Sequence, residues 1–185
     1  MFIELKKLQE TNFKSLQYLS KKNIIFERLY SYMEIKNFNL ITGILDEIEK
    51  TPIILLIGEE NAGKSKLLQE IKLIYKNKKV SLGQAEKYFF DYTDSLMRKQ
   101  HIEYIQSLIK YDFLMIDDFQ FLENKDKAQK MLVEVIEKRS NPTIIALRKE
   151  YFLDSIFIAE LEKLVSNAIK FEIIKTDDNI DIKPL

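Results

Sequence analysis

The segment Gly58-Glu59-Glu60-Asn61-Ala62-Gly63-Lys64-Ser65 places two glycines, a lysine and a hydroxyl at the spacing G-x-x-x-x-G-K-[ST]. This is the chemistry of holding phosphate. Gly58 lets the chain leave a strand sharply, and Gly63 lets the backbone approach an anion closely. Successive N–H groups across Glu59 to Gly63, with the start of a helix behind them, form a nest for negative charge. Lys64 is placed to reach the β- and γ-phosphates and Ser65 to coordinate magnesium, with Lys66 following in the first helical turn. Asn61 is suited to left-handed backbone, which asparagine tolerates better than most residues. The two glutamates are unexpected in an anion loop; at variable positions their side chains are expected to turn outward to water.

A second candidate lies about fifty residues on. Phe-Leu-Met-Ile-Asp117-Asp118 is an apolar run ending in paired acids. Neighbouring side chains at a strand end point in different directions, so the two carboxylates can serve different tasks. Asp117 is assigned to the magnesium held by Ser65, and Asp118 to positioning or activating a water.

These residues need strands and helices to hold them. The run Ile53 to Ile57 reads as a buried parallel strand, and Leu67, Leu68, Ile71 and Ile74 mark one face of the helix after Lys64. Upstream, Leu40 to Ile48 repeats at helical spacing until Thr51-Pro52 stops it. Further strands are expected at Lys79 to Leu82, Phe113 to Ile116, Thr143 to Leu147 and Ile169 to Ile174. Two helices are expected within 85–109, one from Lys127 to Lys138 and one near 157–167. Strands alternating with helices predict an α/β fold of the P-loop NTPase kind: a five-stranded parallel sheet with helices on both faces. Residues 36–175 are expected to form this nucleotide-binding domain, with a helical extension at 1–35 and a C-terminal tail at 176–185, of which the acidic stretch Asp177 to Asp181 reads as frayed or exposed.

Composition narrows the class. Basic and acidic residues balance at 29 each, so overall charge gives no footprint for nucleic acid or membrane. Cysteine is absent, which excludes a disulfide scaffold or thiolate metal site. The longest apolar run, Ile53 to Ile57, is too short for a bilayer, and the opening MFIELKKLQE has no apolar signal region. The expectation is a cytoplasmic protein without a membrane partner. His101 has no second histidine or cysteine near it and reads as a surface helix residue.

Asp117-Asp118-Phe-Gln-Phe-Leu122, continued by a lysine-containing turn to Gln129, resembles the segment after the second aspartate in the bacterial DnaA replication initiators. Ala85-Glu-Lys-Tyr-Phe89 resembles the same family upstream, and GEENAGKSKLLQ is similar to the loop of Hda, a shortened relative that regulates initiation. The resemblance covers about residues 40 to 174. It implies an AAA+ core binding ATP or ADP with magnesium, and action in replication initiation or its regulation. That action would run through nucleotide-dependent self-association or a protein of the replication machinery. A small-metabolite kinase is a weaker reading, and DnaC- or IstB-like loaders are a near variant.

Three departures bear on hydrolysis. Where the family delivers a polar sensor residue from the strand ending near 147, this chain has Ala146 and Leu147, followed by Arg148 and Lys149. Where the family carries a trans-acting arginine, Leu164 to Ile169 has none. Beyond Leu185 this sequence offers no lid helices. A degenerate AAA+ adaptor that binds nucleotide structurally, and recruits or caps an initiator or helicase, is therefore the alternative. Tyr88, Phe89, Phe90 and Tyr92, beside Lys87, are of types that stack single-stranded DNA, although aromatics on a helix beside a sheet more often serve as core.

Overall fold

A computed structural model of the chain describes residues 44, 47, 48, 51–176 and 180–185. The chain divides into two compact units, Met1–Asp46 and Glu47–Leu185. The extension expected at 1–35 and most of the helix expected at Leu40 to Ile48 lie outside the described residues.

The second unit carries one six-stranded sheet. Strand β1 (Ile53–Gly58) runs into helix α1 (Lys64–Ile74), followed by β2 (Val80–Gln84), α2 (Ala85–Met97) and α3 (His101–Ile109). Next come β3 (Phe113–Asp117), a 3-10 turn (Phe119–Leu122) and α4 (Asp126–Glu137). The chain closes with β4 (Thr143–Arg148), α5 (Lys149–Leu153), α6 (Ala159–Ser166), β5 (Ile169–Lys175) and β6 (Ile180–Pro184). The strand order is β2-β3-β4-β1-β5-β6. The five expected strands pair in parallel, and β6 adds to β5 antiparallel, with Lys175 opposite Ile180. The C-terminal tail, in which no strand was expected, thus contributes an edge strand, with Ile180 and Ile182 alternating with Asp181 and Lys183 at the period of a pleated edge. Helix α5 was not expected either.

All six positions of β1 are buried, as a central strand flanked by β4 and β5 requires. Ile53, Leu55 and Ile57 join one core cluster with Leu132 and Val135 of α4, Leu108 of α3 and Leu161 of α6. The alternate residues Ile54 and Leu56 face the opposite side, where α1, lying against β1, β2 and β3, buries Leu67, Leu68 and Ile71.

Two buried polar side chains fix loops: Gln129 at the strand ends that carry the site, and Arg139 at the opposite ends. Gln129 is fully buried and uses its whole amide: Nε2 donates to the Leu122 carbonyl (2.9 Å) and the Ile156 carbonyl (3.0 Å), while Oε1 accepts from the Ile158 amide (2.9 Å). The 3-10 turn after β3 is thereby joined to the segment entering α6. Arg139, buried after α4, donates to the carbonyls of Leu108 (2.5 Å), Ile109 (3.2 Å) and Pro142 (3.2 Å), satisfying the open end of α3.

Candidate functional site

The phosphate-loop motif stands between β1 and α1, as its function requires. Gly63 caps the helix in left-handed backbone, at φ 101° and ψ 9°. Asn61 is also left-handed, at φ 59°. Glu59, Glu60 and Asn61 are exposed, Ala62 is buried beneath them, and its amide donates to the Glu59 carbonyl at 3.2 Å. Gly58 is needed for a different reason from the one expected. It closes β1 beside Ile173 of β5, and a Cβ there would come within 2.4 Å of the Ile173 carbonyl oxygen. Close packing of strands, rather than a sharp exit, demands glycine.

Lys64, the first residue of α1, is buried, and its ammonium donates to the Gly58 and Glu59 carbonyls, both at 2.7 Å. Burial lowers its pKa, and the charges of Asp117 and Asp118 work in the opposite direction. The lysine therefore sits inside the loop, in the electrostatic reach of the paired acids. Ser65 and Lys66 are exposed on the first turn.

Asp117 ends β3 and is buried, its carboxylate accepts from the Asp118 amide (3.0 Å), and the Ser65 hydroxyl is near enough to act on its pKa. Burial raises its pKa; the Ser65 hydroxyl pulls it back, and the neighbouring Asp118 charge pushes it up again. The two residues assigned to magnesium thus meet, although they lie 52 positions apart (117 − 65). Asp118 is left-handed (φ 51°, ψ 47°), which turns its side chain away from the direction of Asp117. Its Oδ1 accepts from Gln120 Nε2 at 3.0 Å, and Gln120 Oε1 accepts from the Arg148 amide at 3.3 Å. Gln120 thereby links the end of β3 to the end of β4. Gln120 carries only a faint signal in the sequence, a lone amide inside Phe-Gln-Phe-Leu shortly after the paired acids.

Around this centre the expected departures take physical form. Ala146 and Leu147 are fully buried and offer no polar group to the site. Arg148, the next residue, pairs with Glu60 Oε2 at 3.0 Å, so one of the two loop glutamates is held by a guanidinium as well as facing water. Lys149 is engaged by Glu172 at 2.5 Å. Lys170 donates to the carbonyls of Ser166 (3.0 Å) and Ala168 (3.2 Å) at the end of α6, and Asn167 is exposed.

The aromatic group on α2 divides. Tyr88 is buried, with its hydroxyl hydrogen-bonded to Ser81 Oγ (2.8 Å) and the Met115 carbonyl (3.3 Å). Phe89 and Tyr92 are half-buried, whereas Phe90 is exposed and packs near Phe89 (5.4 Å) and Phe121 (6.4 Å). Lys125 lies 4.2 Å over the Phe121 ring. Phe119 belongs to the core, against Phe157 at 5.3 Å.

A family model described as the bacterial DnaA ATPase domain matches residues 44–150, more than half of the chain. The chain belongs to this family. The matched DnaA segment contains both motifs and ends just past Arg148, so β5 and β6 fall beyond it. The chromosomal replication initiator DnaA of Helicobacter hepaticus is 33% identical over 90 residues, covering 48% of this chain and 20% of that protein. DnaA of Rickettsia canadensis is 32% identical over 88 residues, or 45% of this chain and 19% of that protein. The chain therefore matches about a fifth of the length of these relatives. Among solved structures, the replication initiator DnaA bound to AMPPCP and single-stranded DNA superposes with a TM-score of 0.68 at 19% identity. That match covers 77% of this chain and 46% of the other. Domain III of DnaA from Thermotoga maritima gives a TM-score of 0.67 at 22% identity, over 79% of this chain and 65% of that one. At such identities the likeness is one of fold, and it is the α/β sheet with flanking helices. Among the described residues, no helix is long and apolar enough to cross a membrane.

Proposed function

We propose that this chain is an ATP-binding DnaA-like AAA+ protein acting in replication initiation or its regulation, through nucleotide-dependent association with itself or with a protein of the replication machinery. The observation that carries the reading is the meeting of Ser65 and Asp117 beside the left-handed Gly63 and the buried Lys64. The donor set fits its ligand. A hydroxyl and a carboxylate are the hard oxygens that magnesium takes from a protein when phosphates and waters supply the rest. Gly63 holds a left-handed backbone, at φ 101°, that glycine adopts without strain, and the start of α1 behind it suits an anion.

When bound, the magnesium nucleotide supplies an electrophilic terminal phosphorus. The chain's own groups then have separate tasks. Loop amides and Lys64 hold the phosphate charge, Ser65 and Asp117 hold the cation, and Asp118, kept in place by Gln120, orients a water. The cytoplasm, where nucleotide and magnesium are plentiful, suits this reading.

The adaptor alternative is favoured by two observations: Ala146 and Leu147 are sealed in the core, and the 164–169 stretch provides no arginine. Titration with ATP and ADP, followed by size analysis, tests the main reading. Nucleotide binding that Lys64→Ala abolishes, together with a change in assembly on adding ATP, is the expected result. Affinity unaffected by Lys64→Ala would sink the site assignment. Single-stranded DNA, which the superposed DnaA structure contains, enters the same titration as a candidate partner through Phe90 and Lys125.

A further inference from the structure

Arg148 closes β4 in register with Gly58, which places its side chain at the mouth of the phosphate loop. Its guanidinium lies 3.0 Å from Glu60 Oε2, with Glu150 more distant at 3.9 Å. The arginine is 31% exposed and its glutamate 62% exposed, so the pair sits at the rim with water on one side. The base of Arg148 is fixed, since its amide donates to Gln120, the residue that also holds Asp118. Its charge also acts on Lys64, lowering the pKa of that ammonium. Other cations are committed elsewhere: Lys149 to Glu172, Arg98 to Asp94, and Arg139 to backbone carbonyls. Among the described arginines, Arg148 is the one that borders the loop.

We propose that Glu60 is an internal competitor for Arg148: their ion pair latches the mouth of the phosphate loop, and the terminal phosphate of a nucleoside triphosphate displaces Glu60 from the guanidinium. The proposal rests on the nucleotide reading above. An exposed carboxylate pair is weak, because water screens it and two side chains must be ordered to make it. A phosphate brings more charge and three acceptor oxygens to the planar fork of an arginine. The exchange therefore runs toward phosphate once one reaches the rim. A diphosphate, anchored by the loop amides and Lys64, stops short of Arg148 and leaves Glu60 in place. The apparent affinity for the triphosphate is reduced by the fraction of molecules in which Glu60 holds the arginine. An acid in an anion loop thus becomes a device for telling tri- from diphosphate.

The test is calorimetric titration of magnesium with AMPPCP and with ADP, on the full chain and on Glu60→Gln, Arg148→Gln and the double variant. Arg148→Gln is expected to weaken AMPPCP about tenfold, the scale of a lost charge-assisted hydrogen bond, while ADP changes by less than about twofold. Glu60→Gln is expected to tighten AMPPCP by about two- to fivefold, and to do nothing once Arg148 is Gln. Arg148→Lys, which keeps the charge without the fork and spares the backbone, should fall between the wild type and Arg148→Gln. Tightening by Glu60→Gln that persists without Arg148, or equal weakening of both nucleotides by Arg148→Gln, overturns the latch and leaves nucleotide binding standing. A wild type that binds neither nucleotide overturns both.

Discussion

The side chain of Ile180, on the antiparallel edge strand, occupies the space beside Gly63 in the phosphate loop: a Cβ on that glycine would lie 2.4 Å from Ile180 Cδ1. The last strand therefore backs the loop from which α1 begins. Gly63→Ala meets two obstacles, the φ of 101° and this contact. The second involves the far end of a flexible side chain and yields cheaply, whereas left-handed backbone costs an L-residue about 1 kcal/mol or more wherever it sits. Gly63→Ala is expected to lose most nucleotide binding, and adding Ile180→Ala should restore little of it. Full rescue by Ile180→Ala, read by nucleotide titration, would make sterics rather than backbone conformation the reason for the glycine.

The burial of Asp117 works against stability at neutral pH. Burial holds its carboxyl above the ordinary value of 3.8 despite the nearby Ser65 hydroxyl. An acid whose folded pKa is raised keeps its proton more tightly when folded, so its effect on stability is most favourable below 3.8 and worsens as pH rises through the raised value. Asp117→Asn keeps an acceptor for Ser65 and for the Asp118 amide but never ionises. The variant is expected to melt higher than wild type at pH 7, with the gap closing as pH falls to 3.8 and below, while magnesium-dependent nucleotide binding is lost. Melting curves between pH 7 and pH 3.5 decide it; a gap that widens on acidification would contradict the burial argument.

Much of this site was legible in the sequence because motif spacing constrains it locally. Gly63, Lys64, Ser65 and the pair Asp117-Asp118 each sit at a junction of strand and helix, and apolar runs such as Ile53 to Ile57 mark the strands that deliver them. Contacts between distant segments were not legible. Glycine at position 58 answers to a carbonyl 115 residues later (173 − 58), and Glu60 finds its partner in Arg148. Strand β6 escaped notice because Ile180 and Ile182 alternate with charged residues in a segment rich in acids, a pattern as weak as any edge strand presents. The buried Gln129 reads as one polar residue among many until its three backbone partners are assembled around it.

Those three partners make Gln129 a test of how the paired acids are supported. Gln129→Ala would strip buried hydrogen bonds from the Leu122 and Ile156 carbonyls and from the Ile158 amide. Unsatisfied buried backbone groups cost about 1–3 kcal/mol each, partly relieved where water enters. A loss of about 2–4 kcal/mol in folding stability is expected by urea denaturation. Gln129→Glu keeps the acceptor for Ile158 but presents carboxylate oxygens to two carbonyls, and should be at least as damaging. A change within about 0.5 kcal/mol, the range of an ordinary surface substitution, would show that the turn after β3 does not depend on this amide.

Asp118 is the residue at which turnover of nucleotide can be tested. It sits at φ 51°, which asparagine also tolerates, and an Asn Oδ1 can still accept from Gln120 Nε2. Asp118→Asn therefore removes the charge while leaving the turn in place, unlike Asp118→Ala, which would lose the Gln120 contact and strain the backbone. If Asp118 orients or deprotonates the attacking water, phosphate release should fall by about a hundredfold or more, with ATP affinity within about threefold of wild type. Equal release from both proteins would remove Asp118 from the chemistry. Release undetectable in wild type as well, even with single-stranded DNA and a candidate partner present, would move the balance to the adaptor. In that case the buried Ala146 and Leu147 and the arginine-free stretch at 164–169 become the structural account of why nucleotide is bound and not consumed.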